Sequence, residues 1–251
     1  MPETTINAFK HYYEDAGSGP ALIMMHGANS SGRSLAGAYQ ELAKAFRVLV
    51  PDMRGLGRSE HVPEIPPGAW NEDILGLLDH LGVSTAYVYG VSLGARVALR
   101  FAIDHPDRVA ALILDAPVIA MESGGSEAVQ RLFDVNSLPA ERKAQLRDTH
   151  GDDWEQVNTI YLKTRNNPQF QAFYDLRERS SSVSVPTLIL RGDIDDAVHR
   201  IAHAVELHER IQGSWLSVVP DTRFGLGIFA PARCVELIHQ FVGHQQIEHA
   251  G

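Results

Sequence analysis

The sequence predicts an α/β protein, a mostly parallel sheet flanked by helices and carrying one helical insertion. Two observations predict the sheet and its cover. Short apolar runs rich in branched residues alternate with longer segments of helical period, and Gly-rich polar clusters mark the turns between them. A third predicts the insertion: from residue 118 to 184 the alternation stops and no strand is evident.

In chain order, strands are expected at 9–14, 21–26, 48–51, 87–91, 110–115, 187–191 and 216–219. Helices are expected at 35–46, 70–81, 93–104, 198–211 and 231–242. In the last of these, Val235, Ile238 and Val242 share an apolar face, and Pro231 stands near the first turn, where its missing N–H costs nothing. The strand-to-helix turns read His26-Gly27-Ala28-Asn29-Ser30-Ser31-Gly32 and Asp52-Met53-Arg54-Gly55-Leu56-Gly57-Arg58-Ser59. Within the insertion, Gly124-Gly125 and Asn166-Asn167-Pro168 punctuate polar, helical stretches. Residues 243–251 read as a frayed polar tail. The chain thus divides into a core of residues 1–117 and 185–251 and an inserted helical lid of residues 118–184.

A length of 251 residues suits one α/β domain with an insertion, and 44% hydrophobic residues supply a core without a metal or disulfide staple. Cys234 is the one cysteine and has no internal partner, which fits a reducing, cytoplasmic setting. The start, Met1-Pro2-Glu3-Thr4-Thr5, lacks a basic region followed by an apolar core, so no secretion signal is expected. No apolar run approaches the roughly 20 residues that span a bilayer, so no membrane partner is expected. A net charge of −9 argues against a nucleic-acid partner, because phosphate binding needs clustered Lys and Arg. The expected partner is a small-molecule substrate.

The sharpest motif is Gly90-Val91-Ser92-Leu93-Gly94, between an expected strand and an expected helix. In that setting a serine at the apex of the turn projects its oxygen above the sheet, and the glycines stand where strand and helix come too close for a Cβ. A Gly-flanked serine in an ordinary tight turn is the bland alternative, and the strand–turn–helix context favours a nucleophile. The turn at His26-Gly27-Ala28 offers the N–H of Ala28 to join that of Leu93 in an oxyanion hole. His26 itself reads as structural.

Over nearly its whole length the sequence resembles the α/β-hydrolase superfamily, in its serine-nucleophile form with a short helical lid. The resemblance rests on the strand ending His26-Gly27, the 51–59 loop, the elbow at Ser92, and His105-Pro106-Asp107-Arg108-Val109. It continues through Pro186-Thr187-Leu188-Ile189-Leu190-Arg191-Gly192-Asp193-Ile194-Asp195. It implies an α/β-hydrolase fold, structural roles for Asp52, Arg54 and Arg108, and a triad in the order Ser, Asp or Glu, His. The acid position, three residues past Gly192, falls on Asp195, with Asp193 and Asp196 as close alternatives and Asp115 as a minor one. The histidine position falls on Phe224, in a loop, Asp221-Thr222-Arg223-Phe224-Gly225-Leu226-Gly227, that holds no histidine.

Phenylalanine cannot take a proton, so Ser92 would have to attack from an unfavourable pKa. No other histidine is expected beside it. His26 would approach from the oxyanion side, and His105 caps a helix end. His199 and His203 are expected on a helix leading away, His239 lies within the last helix, and His244 and His249 fall in the tail. Two accounts of Phe224 compete: an alteration that stalls turnover in an otherwise intact enzyme, or a natural protein that has left hydrolysis for binding or for a base-free reaction. A shifted register is a third, but it would still need a histidine somewhere in the loop. The intact elbow, turn and acid favour the first.

In the insertion, Trp154, Tyr161, Phe170, Phe173 and Tyr174 stand at helical spacing and are expected chiefly in the lid's own core. A short aromatic lid suits a small or medium substrate. The reading is a serine hydrolase acting on an ester, lactone or thioester through a Ser92 acyl-enzyme. Asp195 would orient a histidine replaced here by Phe224, leaving turnover blocked. The chemistry requires no metal or organic cofactor. The alternatives are a non-catalytic ligand-binding protein, or a lyase-like, cofactor-free enzyme on the same fold.

Overall fold

A computed structural model describes residues 2–120 and 123–248. Its frame is an eight-stranded sheet. In chain order the strands are β1 (Glu3–Ile6), β2 (Phe9–Ala16), β3 (Ala21–Met25), β4 (Arg47–Pro51), β5 (Ala86–Val91), β6 (Val109–Asp115), β7 (Thr187–Ile194) and β8 (Trp215–Arg223). They lie in the spatial order β1-β2-β4-β3-β5-β6-β7-β8. The β1–β2 and β2–β4 pairs are antiparallel, and every later pair is parallel.

Parallel strands need crossovers, and the helices supply them. They include α1 (Ala36–Leu42), α2 (Ala69–His80), α3 (Leu93–Asp104) and α8 (Ile201–Arg210), while α9 (Leu226–Phe229) and α10 (Pro231–Glu248) follow the last strand. Four more, α4 (Ser123–Phe133), α5 (Ala140–His150), α6 (Trp154–Arg165) and α7 (Pro168–Phe173), fill the stretch between β6 and β7.

The period-2 alternation of a strand divides β3 between two cores. Ile23 and Met25 join the side chains of α2 and α3, whereas Leu22 and Met24 join those of α1 and α10. All four are fully buried. Burial on both faces is why the strand reads as a continuous apolar run in the sequence.

The boundaries differ from expectation where one face is exposed or where a loop leaves the sheet. β1 buries only Ile6 along its length, so it carries no apolar run to find. β8 is an edge strand and continues through Pro220, which an edge tolerates. α4 runs through Gly124-Gly125, where a break was expected. α8 begins at Ile201 rather than near residue 198. α10 extends to Glu248, so 243–248 are helical rather than a frayed tail, while Met1 and residues 249–251, His249 among them, lie outside the described residues. Among the described residues no helix is long and apolar enough to cross a membrane.

The inserted helices are tied to the core by aromatic packing. Phe170 meets Trp70 edge-on with ring centroids 5.5 Å apart, and Tyr174 donates its hydroxyl to Asn71 Oδ1 at 2.7 Å. Trp154 instead packs with Leu138 and Leu146 in a small cluster of the insertion's own.

Candidate active site

Ser92 sits at the sharp turn between β5 and α3 with φ 56° and ψ −112°, a left-handed conformation that side chains other than glycine rarely adopt. Its neighbours hold it there. A Cβ on Gly90 would lie 2.1 Å from Gly94 O, and one on Gly94 would lie 2.4 Å from Met25 O. Both contacts are with backbone, which cannot rotate aside. The Ser92 N–H is fixed by the carbonyl of Asp115 at 2.9 Å.

The Ser92 hydroxyl lies 2.8 Å from His199 Nε2. Behind the ring, His199 Nδ1 lies 3.0 Å from Asp196 Oδ2 and 3.2 Å from Oδ1. A carboxylate only accepts, so Nδ1 carries the proton and the bare Nε2 accepts from Ser92. The Asp196 side chain also takes the N–H groups of Val198 and His199, each at 2.7 Å. Burial alone would push the Asp196 carboxyl up. The hydrogen bonds from the His199 ring, and from the N–H groups of His199 and Val198, hold it well below the usual carboxylate range.

No histidine was expected beside Ser92, and His199 is there. The reason is the start of α8: because the helix begins at Ile201, His199 belongs to the loop after β7 rather than to a helix leading away. No short motif signals this, since it depends on where a polar loop turns.

Asp195, expected to partner the histidine, does not reach one. Its Oδ1 accepts from Arg191 Nη2 at 2.6 Å and from the N–H of Ile201 at 2.7 Å, so it braces the loop and the first turn of α8. Asp193 accepts the N–H of Thr222 at 3.3 Å. Asp115 is buried and accepts from Tyr89, Leu226 and Gly227. Arg191 also donates to the carbonyl of His199, fixing the loop from below.

Phe224 lies flat on His199, with ring centroids 3.8 Å apart and an interplanar angle of 8°. Phe229 meets Phe224 edge-on at 5.1 Å. The ring at the expected histidine position therefore walls the histidine that is present.

His26 is fully buried, with Nδ1 donating to Gly27 O at 2.8 Å and Nε2 accepting the N–H of Met53 at 3.0 Å. Asp52 gathers Gly32, Arg58 and their loops, while Arg54 pairs with Asp73 and Arg108 holds the carbonyls of Val83 and Ser84.

Beside Ser92 is a pocket to which Ala28 and Leu93 contribute. Among the described residues, no acceptor takes the N–H of either. Val118, Val129, Phe170 and Val198 give the pocket an apolar wall, and Arg96, Tyr161 and Arg165 a polar one. No cluster of His, Cys, Asp or Glu suited to a metal occurs among the described residues.

Residues 20–150 match the profile of a family described as the alpha/beta hydrolase fold. Among curated relatives, RutD of Caulobacter sp. (strain K31), a candidate carbamate hydrolase, is 27% identical over 248 residues, covering 87% of this chain and 91% of its own. The 2-hydroxy-6-oxo-6-phenylhexa-2,4-dienoate hydrolase of Burkholderia cepacia is 25% identical over 246 residues, covering 87% and 86%. Among solved structures, Est816, described as an N-acyl homoserine lactone degrading enzyme, superposes with a TM-score of 0.81 at 22% identity, over 96% of this chain and 100% of its own. At that identity the likeness is one of fold.

Proposed function

The chain belongs to the alpha/beta hydrolase fold family, and from that premise we propose that it is a serine hydrolase with a displaced base, able to turn over as it stands. Ser92 is the nucleophile, His199 the base and Asp196 the acid. The observation that carries this reading is the continuous hydrogen-bonded line from Ser92 Oγ through His199 to Asp196.

The chemistry follows from the protonation states. As Ser92 Oγ attacks a substrate carbonyl, its proton passes to His199 Nε2, and Asp196 stabilises the imidazolium. The N–H groups of Ala28 and Leu93 receive the developing oxyanion, the latter at the start of a helix where the dipole favours negative charge. His199 returns the proton to the departing oxygen or sulfur, leaving an ester on Ser92. Water then attacks that ester with His199 again as base, releasing the acid and restoring Ser92. Phe224 is a positioning residue here: its ring limits the swing of His199, and neither blocks nor replaces it.

The substrates this reading favours are small or medium esters, lactones and thioesters. The pocket's apolar wall and the inserted helices over it support that size. The names of the two curated relatives cover other bonds, so neither substrate is carried over.

The test is intact mass and turnover on aryl esters and lactones, with Ser92→Ala, His199→Ala and Phe224→His alongside. Expected are turnover by the unaltered chain, no adduct in Ser92→Ala, and a kcat roughly a thousandfold lower or worse in His199→Ala. Activity that appears only in Phe224→His and ignores His199→Ala would sink the displaced-base reading.

A further inference from the structure

Two guanidinium groups line the Ser92 pocket, and among the described residues neither is in an ion pair, Asp175 acting on Arg96 only from beyond that distance. Arg96 lies one helical turn beyond Ser92 on α3, with its N–H directed at Ser92 O at 3.3 Å, so the two side chains share a face. Its side chain is buried, with a residue exposure of 9%; Nη2 donates to Tyr174 O at 2.7 Å, and Nε has no hydrogen-bond partner. Arg165, at the end of α6, is buried at 7% exposure, and its Nη1 reaches only Asn166 Oδ1, at 3.4 Å. No described carboxylate forms an ion pair with either. Tyr161, also on the pocket wall, contributes a neutral hydroxyl, its pKa pushed up to about 12 by burial.

Such an arrangement is costly in an empty pocket. A buried charge without a counter-ion loses hydration and gains nothing back, and two like charges at one wall add repulsion. Burial indeed pushes the Arg96 guanidinium down to about 10, with Arg165 contributing in the same direction. An anion seated between the two would relieve all three penalties at once: the missing counter-charge, the repulsion and the orphaned Nε. Arg54, also buried, shows the contrast, since its Nε and Nη2 both close on Asp73.

We propose that Arg96 and Arg165 form a clamp for a carboxylate on the substrate, so that the compound cleaved at Ser92 is an acid as well as an ester, lactone or thioester. This rests on the serine-hydrolase reading for the bond cleaved, but not for the binding of the anion. A planar carboxylate matches the fork of a guanidinium, and the rest of the pocket offers an apolar wall for the short chain joining acid to carbonyl. The pair would also set register: with the acid end held, the carbonyl is placed over Ser92 rather than sliding along the pocket.

The test separates binding from turnover. Calorimetry on Ser92→Ala compares monomethyl glutarate with dimethyl glutarate, and kinetics on the unaltered chain compare mono-4-nitrophenyl glutarate with its neutral methyl ester. Expected is at least tenfold tighter binding of the half-acid, and a similar preference in kcat/KM. Arg165→Gln should collapse both ratios toward one, while Arg165→Lys keeps part of each. Arg165 is the better first variant, because Arg96 also holds the Tyr174 carbonyl.

Equal binding of half-acid and diester overturns the clamp whatever the kinetics show. So does a preference that survives Arg165→Gln intact, or tighter binding of methyl phosphate than of the half-acid. Tight binding of the half-acid with no adduct or turnover at Ser92 would leave the clamp standing and remove the hydrolase reading.

Discussion

His199 is held on three sides: by Asp196 behind Nδ1, by the flat ring of Phe224, and by the Arg191 donation to its own carbonyl. Each support acts on a different property of the imidazole. Asp196 fixes the tautomer and steadies the charge that forms on it, so Asp196→Asn should lower kcat by about 10² to 10⁴-fold. The same change at Asp195 should leave the acylation rate of Ser92 within a few-fold, because that carboxylate braces a loop. Its cost would appear as stability, about 1–2 kcal/mol for the charge removed from beside the buried Arg191, the amide oxygen still accepting from Ile201, read by denaturant unfolding. A matched loss of acylation in both variants would mean that the two acids act together. Phe224→Ala removes the stacked ring and frees the imidazole to swing, so kcat should fall about tenfold with KM little changed.

At the scale of elements, the turn from β5 to α3 is built by exclusion: two glycines allow strand, helix and the end of β3 to meet closely enough to force Ser92 outward. Gly94→Ala would drive a methyl group into the carbonyl of Met25, a backbone contact that only a shift of α3 relieves. It should lower unfolding stability by several kcal/mol as well as abolish acylation. Gly243→Ala is the control, since a Cβ there meets nothing and the residue lies within α10; it should stabilise by roughly 0.5–1 kcal/mol. The contrast also explains what the sequence revealed. The elbow was legible because its cause lies within five consecutive residues, and β3, β5 and β7 because burial on both faces writes apolar runs. β1 was not, having one buried residue, and neither was the first turn of α8, which depends on how Asp195 and Arg191 fold the preceding loop. A displacement of three residues in that boundary decided whether His199 read as a helix residue or as the group beside Ser92.

At the scale of the whole molecule, Asp115 joins the sheet to the segment that carries Phe224. From the end of β6 its carboxyl accepts from Tyr89 on β5 at 2.6 Å and from the N–H groups of Leu226 and Gly227, which open α9, at 2.9 and 2.8 Å. The group is fully buried, and burial pushes its pKa up from 3.8 to about 6, against the pull of those donors. The folded protein therefore holds this proton more tightly than the unfolded chain does. Its contribution to stability is complete below about pH 4 and is lost as pH rises toward 6 and beyond, by about 3 kcal/mol in all. Asp196 and Asp104, both held below the usual range, act in the opposite direction, so the net stability curve of the chain hides the effect. Asp115→Asn isolates it. The amide loses much the same hydrogen bonds at every pH, so that cost cancels when differences are compared across pH. The Tm of the unaltered chain, taken relative to Asp115→Asn, should fall between pH 4 and pH 6.5 by roughly 5–9 °C, the share of the full effect that this window covers. A flat difference over that window would mean that the buried carboxyl stays ionised throughout. In that case the donors from Tyr89, Leu226 and Gly227 outweigh the burial, and the Phe224 segment is anchored by charge rather than by a shared proton.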